Sequence, residues 1–226
     1  MYALSTVLSM HTLLTVYTYG QGIKIVALSA SRKPYHHGDL RSALLEAGEV
    51  MIERVGVEGL SLRELTREIG VSNNAPRRHF PSKQVLLDAL ALQGFERLGT
   101  VLNRAASGEE PDFVQRLVKV AHAHIRFALK HRSLFRLMFA AKQRPDAPPE
   151  LIKASHKALT AGPMTISYGQ SKGEVIAGEP QRLAITVFAA VEGLVSLSSD
   201  GKINGIPIEK HAEHCIHDIM LGLKPR

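Results

Sequence analysis

Residues 61 to 83, SLRELTREIGVSNNAPRRHFPSK, set two helix caps, one glycine and two prolines so close together that they leave room for two short helices joined by a tight turn. Ser61 is placed to cap the first helix, and Glu64, three residues on, to reach back to the Ser61 backbone N–H, which makes a capping box. Leu62, Leu65 and Ile69 follow at helical spacing and give that helix one apolar face. Gly70 supplies the backbone freedom that a sharp exit requires. Val71 is an apolar plug which, with Leu65, holds the two helices in register, and Ser72 is the cap of the second.

That second helix is expected over about Asn73 to His79. It carries Asn73, Asn74, Arg77, Arg78 and His79, with Ala75 small enough to let another backbone approach. Asn and Arg form paired hydrogen bonds to adenine and guanine edges, and base contacts concentrate at the N-terminal end of a recognition helix. Pro76 is tolerated only in a first turn, so the helix begins near Ser72 or Asn73 and stops before Pro81. Ser82 then caps the next helix and places Lys83 where it can hold a phosphate. The candidate DNA-contacting set is therefore Ser61, Ser72, Asn73, Asn74, Arg77, Arg78, His79 and Lys83. A charge run is more often a solvated face than a binding site. Here the capping box, glycine turn, second cap and basic cluster agree in order, which favours the DNA reading.

Net charge does not make that case. The formal charge is +7, yet residues 31 to 90 hold nine Lys/Arg against eight Asp/Glu, and residues 91 to 226 hold eighteen against thirteen. The signal is local: Arg63, Arg67, Arg77, Arg78 and Lys83 face only Glu64 and Glu68 within the short stretch itself. A chain of 226 residues, 45% hydrophobic, has length for one large or two small cores. The single Cys215 excludes an intramolecular disulfide and fits a reducing cytoplasm.

The first thirty residues differ from the rest, being rich in Thr, Ser and aliphatics with one charged side chain, Lys24. No positive n-region precedes the apolar run, and threonines and a histidine interrupt it, so neither a secretory signal nor a spanning helix is indicated. Residues 1–31 read as an extension, disordered or weakly helical and outside the fold, with a working start near Ser31 or Arg32.

Beyond it the pattern is helical throughout, with no convincing strand alternation. Asp39 caps a first helix whose Leu40, Leu44, Ala47, Val50, Met51 and Val55 form a stripe that ends at Gly56. A long helix from Ser82 carries Leu86, Leu87, Leu90, Phe95, Leu98 and Leu102. Further helices are expected at about 111–130, 132–140, 149–171, 179–199 and 207–223, separated mostly by Gly- and Pro-containing breaks.

The run Gly70-Val71-Ser72, Ala75-Pro76 and Arg78-His79-Phe80-Pro81-Ser82-Lys83 resembles the DNA-binding domain of TetR/AcrR-type transcriptional regulators, and Tyr35 to Arg41 looks like its opening. Residues His124 to His131 and Leu134 to Phe139 are similar to part of the ligand-binding half in one branch of that family. Two positions depart: Arg77 stands where a tyrosine is common, and Glu192 where a histidine is usual. The resemblance implies an all-α chain with a three-helix helix-turn-helix domain at 32–81 and a helical ligand-binding and dimerisation bundle at 82–226. It further implies a homodimer on a palindromic double-stranded DNA operator, acting as a repressor released by an unidentified small-molecule effector.

Candidate pocket residues are Phe95, Phe127, Phe135, Met138, Phe139 and Tyr168, each weighed against plain core packing. His122, His124, Arg126 and His156 are candidate polar contacts for which solvated surface is the preferred reading. The expected dimer interface is the last two helices, with stripes Leu183, Val187, Ala190, Val191, Leu194 and Leu197, and Ile208, Ala212, Cys215, Ile216, Ile219 and Leu223. His211, His214, Cys215 and Asp218 share one helix side and are weak candidates for a metal-sensing site, with no metal the preferred reading. No cofactor is expected. The remaining rival, a helical small-molecule-binding protein or enzyme without DNA function, finds no phosphate loop, zinc-protease helix or nucleophile elbow in its support.

Overall fold

The computed structural model describes residues 6–9, 12–19, 22–27, 40–108, 112–203 and 205–225, which fall into two units, residues 1–40 and 41–226. In the first unit, β1 (Thr6–Ser9), β2 (Thr12–Tyr19) and β3 (Gly22–Ala27) form an antiparallel meander with Thr6 opposite Thr15 and Leu14 opposite Ala27. This corrects the expectation of disorder or weak helix. Thr, Val, Ile and Tyr dominate the strands, and β-branched and aromatic residues lose less on an extended backbone than in a helix.

The second unit is all-helical. Its elements are α1 (Leu40–Gly59), α2 (Leu62–Ile69), α3 (Lys83–Ala106), α4 (Phe113–Lys130), α5 (Arg132–Lys142), α6 (Pro149–Ala158), α7 (Ala161–Ser171), α8 (Pro180–Ser199) and α9 (Ile208–Leu223). The expected cap at Asp39 and the opening at Tyr35 lie outside the described residues. Gly56, at φ 78° and ψ 170°, interrupts α1 where the sequence places its end, and one further turn follows. The single helix expected at 149–171 is two. Pro163 has no N–H to offer the Leu159 carbonyl, so the chain breaks at Leu159–Thr160 and Pro163 falls in the first turn of α7.

The long helix α3 is the axis. It packs against α4, α5, α6 and α7, and Leu86, Leu87, Leu90, Phe95, Leu98 and Leu102 are buried along it. Each such side chain contributes about 1.5–3 kcal/mol relative to exposure. At Gly99 a Cβ would stand 3.1 Å from the Ala158 Cα, so the missing side chain is what lets α6 lie this close. Caps fix the other helix starts. Asp112 accepts from the Gln115 N–H at 2.8 Å to begin α4, and Glu179 accepts from the Gln181 and Arg182 N–H groups at 2.9 and 2.6 Å to begin α8.

The end of α7 is tied to the start of α4, where the Phe113 N–H donates to Glu174 at 3.1 Å. Beside this tie, a Cβ on Gly169 would meet the Phe113 ring at 2.6 Å and a Val175 methyl at 2.7 Å, both fully packed groups. Gly169→Ala gains about 1 kcal/mol in helix propensity but incurs overpacking of about 1–3 kcal/mol. The expected outcome is net destabilisation, read as a lower urea midpoint at fixed protein concentration.

Candidate nucleic-acid interface

The reading head begins with α2. Ser61 caps it, accepting from the Glu64 N–H at 3.5 Å, while the Glu64 carboxylate lies 3.8 Å from Arg67. Gly70 ends it in the left-handed region at φ 76°, and the N–H groups of both Gly70 and Val71 bond the Thr66 carbonyl at 3.0 Å. Leu65 is fully buried, Val71 half-buried, and Arg54 of α1 pairs with Glu68 of α2.

The second helix is tighter and shorter than the sequence suggests. Residues 73–75 form a turn, and only Pro76–Arg78 have regular structure, one 3-10 turn. Pro76 is the cause. In an α-helix its N–H would bond the Ser72 carbonyl; lacking one, it leaves that carbonyl to the Ala75 N–H at 3.0 Å, an i to i+3 bond. Buried Pro76 and Phe80 then anchor the turn, with the Arg41 guanidinium 5.6 Å from the Phe80 ring.

Ser72, Asn73, Asn74, Arg77, Arg78 and His79 are all exposed, and Ser61 is half-buried. A groove lined by Leu62, Arg63, Asn73, Asn74, Pro76, Arg77 and Pro81 runs between α2 and the 3-10 turn. Arg63 is exposed there and absent from the expected set; its place on the first turn of α2, one residue past an apolar position, is the signal that marks it. Asn73 is not free to swing. Its side-chain amide lies 2.9 Å from the hydroxyl of buried Thr66, whose one proton is shared with the Arg63 carbonyl at 2.7 Å. Lys83 likewise has a structural tie, donating to the Glu58 carbonyl at 2.8 Å; an ammonium has two further protons to offer.

Two carboxylates of α1 join this head to the bundle. Glu53 accepts from the Ser133 N–H at 3.0 Å and the Leu134 N–H at 3.0 Å, capping α5 from another helix, since His131 at its start gives no capping side chain. Glu49 pairs with Arg97 of α3 and lies 3.0 Å from His131 Nδ1, while His131 Nε2 is 3.2 Å from the Arg97 guanidinium. One tautomer satisfies all three: Nδ1 donates to the carboxylate and Nε2 accepts from the arginine.

Inside the bundle a cavity of about 220 Å3 is lined by α3, α4, α7 and α8, among them Leu102, Ala121, His124, Gly162, Ala184 and Phe188. None of the six expected pocket residues is on its wall. Phe95, Phe127, Phe135 and Phe139 instead pack on one another, with ring centroids 4.9 Å apart for Phe135 and Phe139 and 5.5 Å for Phe95 and Phe139. Met138 is buried against Gly94, and Tyr168 is covered by the Arg116 guanidinium at 4.0 Å. Lys142 sits 4.8 Å from the Phe139 ring; burial pushes its ammonium below the ordinary lysine range and Glu192 pulls it partly back. His124, expected at the surface, is 4% exposed, and its Nε2 is 2.6 Å from Glu192. Arg126 and His156 are exposed, and His122 bonds the Glu209 carbonyl at 3.0 Å.

Among the described residues no group of three or more His, Cys, Asp and Glu could hold a metal ion. Burial and Asp218 push the Cys215 thiol up, away from the thiolate that a metal needs. Of the stripes expected on the last two helices, Leu183, Val187, Val191, Ala212, Ile216 and Leu223 are buried within the chain and Leu197 is exposed; Ile185 (57% exposed), Ala189 and Leu221 (77% exposed), outside those stripes, also face outward.

Residues 44–90 match the model for bacterial regulatory proteins of the tetR family, and residues 117–219 match the tetracyclin repressor-like C-terminal domain. The chain belongs to the TetR family, a non-enzymatic family of bacterial regulatory proteins. It is similar to the nucleoid occlusion factor SlmA of Vibrio campbellii, 31% identical over 99 residues, 43% of this chain and 50% of that one. The chain thus spans about half the length of the curated relatives it matches. A Rhodococcus protein of unknown function has a similar structure, with TM-score 0.79 and 38% identity over 85% of this chain and 100% of that one. The TetR-family regulator PfmR of Thermus thermophilus shares the fold at TM-score 0.63 and 19% identity, covering 80% of this chain and 99% of that one.

The Glu53 cap gives a direct test of the joint. Glu53→Ala should cost about 1 kcal/mol, the range of a lost helix cap, in urea unfolding at fixed protein concentration. Glu53→Gln, whose amide oxygen still accepts, should lose less; equal stability of all three proteins would show that the cap holds nothing.

Proposed function

We propose that the chain is a homodimeric repressor that reads a palindromic operator and lets go of it when a small apolar or amphipathic molecule enters the bundle. The observation that carries the reading is the exposed, cation-lined groove between α2 and the 3-10 turn, with Arg63, Asn74 and Arg77 on its rim and no acidic side chain among its lining residues. Asn74 and Arg77 face base edges. Arg78, His79, Ser61, Ser72 and the remaining protons of Lys83 hold phosphates, and Asn73 positions the turn through Thr66.

A reading element this short spans only a few base pairs, so specificity requires a second head about one helical turn away. The face that supplies the partner is on α8 and α9. Helix α8 has a mean hydropathy of 1.4 over its best window, enough by length and composition to cross a membrane, yet only 28% of that window is buried inside the chain. Its outward residues Ile185, Ala189, Gly193 and Leu197 recur every four positions, and a Cβ on Gly193 would meet nothing within 4 Å. A second copy laid on this smooth strip by a twofold axis removes it from water. The place of action is the cytoplasm.

Two variants separate the assigned roles. Arg77→Ala should cost about 1–3 kcal/mol on the preferred operator and relax preference at one base pair. Arg78→Ala should weaken specific and random duplex alike and reduce the salt slope by about one unit. Titrations at several salt concentrations measure both; identical profiles for the two variants would contradict the division. Ile185→Glu should give monomers in sedimentation, and a persistent dimer would move the interface elsewhere.

A further inference from the structure

The cavity holds one ionisable group, and that group has one hand free. Of its lining residues only His124 and Gln181 carry polar side chains. His124 is 4% exposed, wedged edge-on between the Phe135 and Phe188 rings at 5.4 and 5.7 Å, so its orientation is set by packing. Its Nε2 lies 2.6 Å from the Glu192 carboxylate, which stands outside the cavity wall and lines a separate groove with Arg132 and Arg136. A carboxylate only accepts, so Nε2 carries a proton; in the tautomer with that single proton, Nδ1 is a bare acceptor. Among the described residues no protein group bonds that nitrogen.

We infer that the cavity takes a compact, neutral, largely apolar molecule with a single hydroxyl donor, which bonds His124 Nδ1 while Glu192 fixes the ring from behind. The inference rests on the ligand-responsive reading above and specifies its ligand. Size follows from volume. An apolar cavity of about 150 Å3 takes benzene, so a space of about 220 Å3 takes roughly nine non-hydrogen atoms. Charge follows from the wall. An anion would leave water for a mostly apolar wall whose one ionisable group already serves a carboxylate, and would find no cation among the described lining residues. A molecule without a donor would fill the space and leave Nδ1 unpaired, which costs affinity. The room exists because small residues face it: Gly162, Ala121 and Ala184 stand where larger side chains would close it.

Calorimetry on the full chain tests this with three probes of one shape, 4-ethylphenol, 4-ethylanisole and 4-ethylbenzoate. The phenol should bind one molecule per chain, the methyl ether at least tenfold more weakly, and the benzoate not measurably. Gly162→Leu, whose Cβ has only ordinary contact with Ala184 at 3.6 Å, fills the cavity from a helical position that gains from a side chain; it should abolish phenol binding while leaving thermal stability undiminished. Equal affinity of phenol and ether, tighter binding of the benzoate, failure of the phenol to bind at millimolar concentration, or unchanged binding in Gly162→Leu would each overturn the inference. Operator release is measured separately: a phenol that binds as described but leaves the DNA complex intact would refute ligand-responsive repression and leave the ligand class standing.

Discussion

One helix is shared by both halves of the helical unit, and the rest of the architecture follows from that sharing. The first turns of α3 receive the head, where Leu86 and Leu90 pack against Gly48 of α1, and the remaining turns are the axis on which α4 to α7 assemble. A helix of 24 residues is about 36 Å long and resists bending. Movement at the bundle end of such a rod is carried to the head instead of being absorbed between them. The Glu49 and Glu53 carboxylates remove the remaining slack, because each bonds across from α1 to a group on α3 or at the start of α5. The head is therefore tied to the bundle at this joint through both carboxylates of α1.

That coupling explains the uneven distribution of polar groups. Half-buried charges are paired at the joint, at His124–Glu192 and at Arg144–Asp88, where the partners lie within hydrogen-bond distance. Elsewhere the interior is aliphatic and aromatic, and the phenylalanine cluster around Phe135 gives α3, α4 and α5 a common rigid floor. Gly162, Ala121 and Ala184 leave space on the wall of the cavity between α3, α4, α7 and α8.

Much of the head is readable from residues alone because its signals are local. Ser61, Gly70 and Ser82 act within four residues of themselves, and each performs the role its type dictates. The second helix differs in kind from its expectation because a proline in a first turn is normally harmless; here the turn is so short that the one missing N–H decides its hydrogen-bond pattern. The family pattern makes the bundle recognisable, but its interior is not readable. His124 is buried beside Glu192, 68 residues away, and no spacing along one helix encodes that meeting. The expected pocket aromatics turn to one another, and the cavity is marked by small residues, whose presence in a helix is usually read only as close packing. The outward stripe on α8 escapes the sequence for a related reason: that helix is apolar nearly all round, so periodicity does not say which side the chain itself covers.

The central claim is that the exposed segment from Asn73 to His79 enters duplex DNA as one of a twofold-related pair. Selection of bound duplexes from a random pool at moderate salt tests it most directly. An enriched inverted repeat, with half-sites about one helical turn apart and lost in Arg77→Ala, is the predicted result. Enrichment of single, unrepeated motifs, or of nothing beyond random sequence, would contradict it.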